Sequence, residues 1–199
     1  MPYLGNQHIV GDSVRNFKVL DDISSHTATF DGSSASVVST SDNTIRIINH
    51  RFVQGQRVVY SNGGGGNING LTANAYYIIK DSPHTFKLAA NESDAASLTP
   101  INLTSVGTGS SHTLRVSFDG VNKKFKATHS SGNKTHIHHA TQLSVSINNV
   151  PQRPNDNLTF TEGFAVENKS IIVFKQAPIP TDIFFGSAFG ETLGTFDIS

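Results

Sequence analysis

The sequence predicts an all-β fold: a β-sandwich of the Ig-like or jelly-roll-like kind, with a second, small β-barrel-like domain inserted. Apolar and polar residues alternate over short segments, which is the pattern of strands with one buried face. Stretches rich in Asn, Asp, Gly and Pro, the residues that favour turns, separate these segments. Only 36% of the 199 residues are hydrophobic, a share that suits short strands and many turns rather than a thick helical core.

The alternating segments are the predicted strands, and many follow one another at intervals of about 8–12 residues, as in sandwiches and small barrels. Turn pairs such as Asp31-Gly32 and Asn62-Gly63 lie between segments. The helical pattern is weak, and only Glu92–Ser97 predicts a turn or two of helix. The predicted strands are Thr44–Ile48, Gln56–Tyr60, Ala75–Ile79, Thr85–Ala89, His112–Phe118, Leu143–Ile147 and Ser170–Phe174.

Two short segments, Thr29–Ser33 and Ser117–Val121, share the order Phe-Asp-Gly and frame a middle part of different character. We therefore predict an inserted small β domain over residues 41–115. The C-terminal β-sandwich domain is predicted over residues 116–199. Residues 1–40 form either an N-terminal arm or the first strands of the sandwich.

Several motifs in the middle part, taken in order, resemble a repeat module of phage structural proteins. They are Asn49–Tyr60, Ile68–Leu71, Tyr76–Lys80, Phe86–Ala89, Ile101–Thr104 and Gly107–Leu114. Further segments resemble a module common in virion proteins of tailed phages, especially those that infect marine cyanobacteria. These segments are Tyr3–Asn6, Lys18–Ser25, Ser144–Pro154 and Ile171–Gly186. One departure from the family pattern is Asn149, which stands where glycine is usual.

The resemblance implies a virion structural protein of the tail fibre type, with no enzymatic activity and no cofactor. It implies assembly in the host cytoplasm as a symmetric homo-oligomer, with a trimer expected, and contacts to other tail, neck or capsid proteins. The expected place is a tail, baseplate or neck fibre adaptor. The alternatives are a receptor-binding module that recognises a host surface glycan, through loops such as residues 61–70, and a capsid decoration protein.

Composition excludes several other classes. Lysine plus arginine equals aspartate plus glutamate, 15 of each, so no strong overall field attracts nucleic acid. No apolar run is long enough to insert into a membrane. The chain has no cysteine, which rules out a disulfide framework, thiolate metal sites and a thiol nucleophile. No Gly-x-Ser-x-Gly elbow is found, so abundant Ser, His and Asp predict no catalytic triad.

The segment Thr135–His139 is the strongest candidate for a metal site. In a strand, His136 and His138 project from one face, and imidazole suits transition metals. Two ligands are too few for a closed site, although a threefold axis would supply six. The simpler interpretation, an exposed polar strand or loop, is favoured, and no metal is predicted. Less than one metal ion per three chains would end the metal hypothesis.

Four other features are interpreted as structural. Tyr76 and Tyr77 are neighbours on one predicted strand, so one faces inward and the outward one is the only candidate for stacking on a sugar. Asp21 and Asp22 point to opposite faces, and Asp22 suits a turn or helix cap. The glycine-rich stretch 63–66 predicts a mobile hairpin tip, because no phosphate-loop Lys follows it. Six phenylalanines are predicted to form the sandwich core, with any excess lining a subunit contact: Phe160, Phe164, Phe174, Phe184, Phe185 and Phe189.

Overall fold

The computed structural model describes residues 17–130 and 132–189 of the chain. The motif Tyr3–Asn6 lies outside these residues. Strands make up 40% of the structure and helices 5%, in several mostly antiparallel sheets, one of which curls into a half-barrel. The predicted all-β, sandwich-like class is therefore confirmed. No helix in the described residues has the length and hydropathy needed to cross a membrane.

The strands are short and are joined by turns. In chain order they are β1 (Phe17–Val19), β2 (Ser25–Phe30), β3 (Val38–Ser39), β4 (Thr44–Arg46), β5 (Arg57–Ser61), β6 (Ala75–Lys80), β7 (Thr85–Ala89), β8 (His112–Ser117), β9 (Lys124–Lys126), β10 (Thr128–His129), β11 (Asn133–Lys134), β12 (Leu143–Ile147), β13 (Val150–Pro151), β14 (Pro154–Asn155), β15 (Phe164–Glu167), β16 (Ile171–Phe174) and β17 (Phe184–Phe189). A single α-helical turn, α1 (Glu92–Ala96), lies between β7 and β8, and a 3₁₀ turn spans Ala140–Gln142. The side chain of Asn91 caps α1 by accepting from the Asp94 N–H at 2.8 Å, which is the usual role of Asn at a helix start.

The largest sheet has seven strands in the order β2-β8-β5-β6-β7-β4-β3, all paired antiparallel. It is built from one continuous stretch of chain, from Ser25 to Ser117. Strands β2 and β3 precede residue 41, the predicted start of the inserted domain, and they pair within this sheet. Ser25 stands opposite Ser117, so the two ends of the stretch leave the sheet side by side. Adjacent ends are what an inserted unit requires.

Two four-stranded sheets form the rest of the molecule. One has the order β1-β17-β12-β13 and joins both ends of the described chain, because β1 pairs with β17. The other has the order β14-β15-β16-β9, with the β14–β15 pair parallel and the others antiparallel. The hairpin β10–β11 follows β9.

A cluster of three phenylalanines joins the seven-stranded sheet to the C-terminal sheets. Phe118 follows β8, Phe125 lies in β9 and Phe174 in β16, and each is at most 3% exposed. The Phe118 ring centroid lies 4.8 Å from that of Phe125 and 6.2 Å from that of Phe174, and all contacts are edge-to-face. Such pairs contribute about 0.5–1.5 kcal/mol each beyond the burial of their area. The buried apolar core is therefore continuous across the sheets.

Polar contacts reinforce this junction. The Gln56 Nε2 donates to the Lys124 carbonyl at 2.9 Å. The Arg57 guanidinium forms an ion pair with the Asp119 carboxylate, and both side chains are about one fifth exposed. Two neighbouring residues at the start of β5 thus hold the segment that leads from β8 into β9.

The turn between β12 and β13 explains how asparagine replaces the expected glycine. Asn148 and Asn149 both have positive φ, 52° and 63°. A two-residue hairpin turn of this kind requires positive φ at both positions, and asparagine tolerates it better than other residues with a side chain. The Asn148 side chain also donates to Asp182 at 2.7 Å and accepts from the Ile183 N–H at 2.9 Å. Asn149 therefore adopts the conformation usual for glycine, and its neighbour Asn148 adds side-chain contacts that fix the turn.

A buried chain of hydrogen bonds lies at the centre of the seven-stranded sheet. His112 is fully buried, and its Nε2 lies 3.1 Å from the Thr108 carbonyl, so it carries the proton. Its Nδ1 then accepts from the Tyr60 hydroxyl at 2.8 Å. The Tyr60 oxygen in turn accepts from the Ile68 N–H at 3.2 Å. Each buried polar group in this chain is satisfied, and adjacent bonds strengthen one another.

Glycine makes room for the imidazole. A Cβ at Gly32 would collide with the His112 ring, and one at Gly107 would lie 2.8 Å from its Cε1. Both positions belong to motifs that the sequence analysis singled out, Phe-Asp-Gly and Gly-x-Gly. The motif residues around His112 therefore have a structural role in packing the loops onto β5 and β8.

We expect Tyr60→Phe to lower the free energy of unfolding by about 1–3 kcal/mol, because it leaves the Ile68 N–H and the His112 Nδ1 buried without a partner. Tyr77→Phe, which removes the hydroxyl of a half-buried tyrosine on the neighbouring strand, is the matched control and should change stability by less than about 0.5 kcal/mol. Urea unfolding of both variants measures the difference. Equal effects of the two substitutions would show that the buried chain adds no stability.

Candidate functional site

A cleft lies between the seven-stranded sheet and the C-terminal sheets, and we call it the basic cleft. It consists of two cavities that share Lys80 and Lys126. The lysine cavity, of about 380 Å³, is also lined by Lys169 and His136. The arginine cavity, of about 460 Å³, is also lined by Arg51. Neither cavity has an acidic residue among its described lining residues.

The backbone positions the cations from four separate parts of the chain. Lys80 ends β6, and its N–H donates to the Gln54 side chain at 2.8 Å. Lys126 ends β9, and its Nζ lies 3.3 Å from the Ser170 hydroxyl. Lys169 lies in the turn between β15 and β16 with a positive φ of 59°. This turn carries Lys169 out to the solvent-exposed rim of the cleft.

Arg51 is held at the other end of the cleft by a close backbone approach. Its guanidinium packs against Gly132, where a Cβ would collide with it. The Gly132 N–H and the Thr128 hydroxyl both donate to the Asp21 carboxylate, at 2.8 and 2.7 Å. Asp21 is therefore engaged in holding this loop. The neighbouring Asp22 accepts from the Ser24 N–H at 2.7 Å, which is the turn-capping role predicted for it.

His50 lines the arginine cavity, and His26 lines a small cavity next to it. The His50 Nε2 lies 3.0 Å from the Ser82 carbonyl, and its Nδ1 accepts from the Phe52 N–H at 3.0 Å. Burial lowers the pKa of His50 below its ordinary value, and the nearby charge of Lys80 lowers it further. His26 lines a small inner cavity of about 80 Å³ together with Arg51. Burial, and then the charge of Arg51, lower the pKa of His26 as well.

Thr135 is the polar group that the fold leaves without a partner in the lysine cavity. The residue is 4% exposed, and its hydroxyl makes no hydrogen bond within the part of the chain that the structure describes. A buried hydroxyl without a partner costs free energy. A ligand in the cavity that accepts this hydrogen bond would remove the cost.

The structure places His136 and His138 on one side of the buried Ile137, with both imidazoles exposed and their ring centroids 5.5 Å apart. The segment after β11 is not a strand here, yet the two rings remain close to each other. Among residues 17–130 and 132–189, no group of three or more His, Cys, Asp or Glu side chains could hold a metal ion. The pair supplies two ligands per chain, and a metal site would need a further copy.

The candidate sugar-stacking tyrosines are not equivalent. Tyr76 is 7% exposed, and its hydroxyl accepts from the Thr72 N–H at 2.8 Å. Tyr77 is half-buried and packs against a small cluster that includes Ile79 and Ala95. Tyr76 is therefore the inward-facing member of the pair, and neither residue lines the basic cleft.

The glycine-rich loop 63–66 is bound to the segment before β8. Gly66 and Thr108 exchange backbone hydrogen bonds of 3.1 and 3.0 Å, and the Gly66 N–H also lies 2.7 Å from the Thr108 hydroxyl. The Asn62 side chain accepts from the Gly64 N–H at 3.1 Å. The predicted hairpin tip is thus anchored at its end, and its amide groups are engaged within the loop rather than arranged as a phosphate cradle.

Sequence reasoning missed the cations of the basic cleft. Arg51, Lys80, Lys126 and Lys169 are far apart in the chain and form no cluster or motif. The even overall balance of charge gave no sign of a local excess. The pairing of β9 with β16 brings Lys126 near the Lys169 turn, and the packing of the seven-stranded sheet against this part adds Lys80 and Arg51.

In comparisons with protein-family models, curated proteins and solved structures, no match is found.

We expect the free energy of unfolding to fall as the pH falls below about 6.5, the ordinary pKa of histidine, because His26 and His50 have lowered pKa values in the folded chain. The unfolded chain binds protons first, so the contribution is complete above this pH and is lost as pH falls toward the folded pKa values. Urea unfolding between pH 7.5 and 5.5 measures the slope.

In His50→Gln this slope should be smaller. The control His138→Gln, at an exposed position, should keep the full slope. A stability that stays constant across this pH range would contradict the expectation.

Proposed function

We propose that this chain is a non-enzymatic structural protein of a tailed-phage particle, which assembles as a symmetric homo-oligomer and serves as a tail, baseplate or neck fibre adaptor. The resemblance of its ordered motifs to phage virion modules supports the phage assignment. The observation that carries the assembly role is a set of exposed apolar side chains at one end of the β1-β17-β12-β13 sheet. We call it the apolar end surface, and it comprises Val150, Ile179, Ile183 and Phe185.

These side chains are unusually exposed for their type. Ile183 is 71% exposed, Val150 60%, Phe185 54% and Ile179 51%. The turn between β12 and β13 lies beside the start of β17, because the Asn148 N–H donates to the Ile183 carbonyl at 2.9 Å. Ile179 joins them through a turn in which the Asp182 N–H donates to the Ile179 carbonyl. Val150 pairs with Ile147 and therefore lies on the face opposite to Phe185, which pairs with Ser146, so the surface includes both faces at this end of the sheet. Exposed apolar residues grouped at one end of a sheet mark interaction sites.

Phe185 extends the surface onto the outer face of the sheet. It pairs with Ser146 and lies two residues from Ser187, which pairs with Val19. Paired residues and residues two apart share a face, so Phe185 and the exposed Val19 lie on the same side. Phe164 and Phe174, in contrast, are buried in the core. The C-terminal phenylalanines thus divide into a core set and an outward one, and the outward one suits a subunit contact.

Burial of these four side chains against a second copy would favour assembly. Complete burial of a Val, Ile or Phe side chain stabilises by about 1.5–3 kcal/mol. A formal net charge of zero adds little repulsion between copies. A second copy is the proposed occupant because a closed symmetric oligomer buries identical surfaces on every subunit.

We expect the purified protein to have the mass of a trimer by light scattering coupled to size-exclusion chromatography. Ile183→Asp combined with Phe185→Ser should yield monomers, because a charge cannot be buried unpaired in the contact. Leu98→Asp, at a residue that is 61% exposed next to α1, is the matched control and should remain trimeric.

A wild-type monomer at micromolar concentration would contradict the assembly role. Localisation of the chain in an electron-microscopy map of a phage particle tests the place on the virion. Density in the capsid shell would favour the alternative of a capsid decoration protein.

A receptor-binding role is the second candidate, and the basic cleft is the observation that favours it. The loops around residues 61–70 support it less, because their amide groups and Tyr76 are engaged within the fold.

A further inference from the structure

We propose that the basic cleft binds an anionic glycan: a short run of sugar units that carry sulfate, phosphate or carboxylate groups. This inference goes beyond the assembly role, because the cleft shares no residue with the apolar end surface. Its test therefore succeeds or fails independently of the test for oligomers.

The first support is the local charge. Lys80, Lys126 and Lys169 converge on one cavity from three different strands or turns, although the chain as a whole is neutral. Asp22 lies at the neighbouring inner cavity, and Glu167 is engaged with Lys124 at 2.9 Å. The Asp21 carboxylate lies beside the arginine cavity, hydrogen-bonded to Gly132 and Thr128 of its lining. The lysine cavity has no carboxylate among its described lining residues, and like charges held together in this way favour an anion. The spacing of the cations over two cavities favours several anionic groups rather than one.

The second support is Thr135. Its hydroxyl is buried, lines the lysine cavity, and has no partner in the described residues. Lys126 also lines this cavity. Its ammonium and the Thr135 hydroxyl are both hydrogen-bond donors, and an oxyanion accepts from groups of this kind. The unsatisfied hydroxyl therefore favours a ligand that accepts hydrogen bonds.

The polar lining favours a glycan over a nucleic acid. Asn49, Gln54 and Asn168 line the cleft beside the cations, and amide side chains both donate to and accept from sugar hydroxyls. Single-stranded nucleic acid requires exposed aromatic faces on which bases stack. Apart from the histidines, the described lining includes one aromatic side chain, Phe52. It is 1% exposed and therefore offers no face on which a base could stack. Each cavity also has the size typical of sites for small ligands, about 300–1,000 Å³.

Isothermal titration calorimetry on the full chain tests the proposal, with a sulfated tetrasaccharide as the probe and its desulfated counterpart as the control ligand. We expect the sulfated probe to bind, and its affinity to fall with added salt. The desulfated probe should not bind. Lys80→Gln combined with Lys169→Gln should weaken binding by about 100-fold, since each charge-assisted hydrogen bond contributes about tenfold. Lys87→Gln removes a charge from β7 outside the cleft and should leave affinity unchanged.

Thr135→Val separates a binding role from a structural one. Because the hydroxyl has no partner among the residues that the structure describes, its removal should leave the unfolding midpoint unchanged or raise it. The same substitution should lower the affinity for the sulfated probe by about tenfold. If Thr135→Val lowers the midpoint, or leaves the affinity unchanged, the hydroxyl is not a ligand group. This variant and Lys169→Gln in the exposed turn keep the test decisive if the double variant fails to fold.

Four results would overturn the proposal. They are no binding of the sulfated probe, equal binding of the desulfated one, equal affinity for inorganic sulfate, and equal or tighter binding of single-stranded DNA of the same charge. The last two would identify a simple anion site and a nucleic-acid site, respectively.

Discussion

The contact among Phe118, Phe125 and Phe174 determines how the two halves of the molecule sit together. It joins the end of β8 to β9 and β16, and the Gln56–Lys124 hydrogen bond and the Arg57–Asp119 ion pair lie beside it. Because interiors are packed as densely as crystals of small molecules, this contact holds the sheets at a fixed separation. The basic cleft lies between the same parts of the chain, because residues of both halves line it. Its shape therefore depends on how the two halves are held together.

The charges in and near the cleft impose two requirements on the fold. The cations must stay close to one another, which costs free energy, and the imidazoles near them must remain neutral. The fold meets the second requirement by giving each His50 ring nitrogen a backbone partner. Burial and the neighbouring cations lower the pKa values of His26 and His50, so that neither adds a further positive charge near neutral pH. An anion in the cleft would offset the repulsion among the lysines and raise both pKa values.

Local pattern predicted the parts of this fold that depend on local chemistry. The segment Ala75–Ile79 became β6, Thr85–Ala89 became β7, and Glu92–Ser97 gave the helical turn α1, because alternation and capping act over a few residues. The strands that were missed, such as β2 and β17, carry Ser, Thr, Ala and Gly in place of strict apolar alternation. They are strands because β8 and β12 offer them partners. Tertiary pairing overrides weak local preference in such cases.

The candidate site was less predictable than the fold for a related reason. His136 and His138 attracted attention because they are close in sequence, whereas the cations of the cleft meet only through pairings between distant strands. A lysine in a polar segment has no local signature that distinguishes a solvated residue from one that faces a cavity. The unpartnered hydroxyl of Thr135 could not be predicted from sequence either, because whether a buried group finds a hydrogen-bond partner depends on the packed structure. Local sequence patterns predicted many of the strands, whereas the candidate site is formed by residues that are distant in the chain.

Assembly and anion binding would reinforce each other in the proposed oligomer. The apolar end surface belongs to the β1-β17-β12-β13 sheet, while the cleft is formed by β6, β9 and the turn before β16. A trimer built through the first would therefore present three copies of the second. Exposed lysines bind single anionic groups weakly, since salt and water screen them. Three linked clefts on one polymeric glycan bind more tightly than one, because the later contacts form at a high effective concentration. A weak site on each chain is thus enough for firm attachment of a particle that carries many copies.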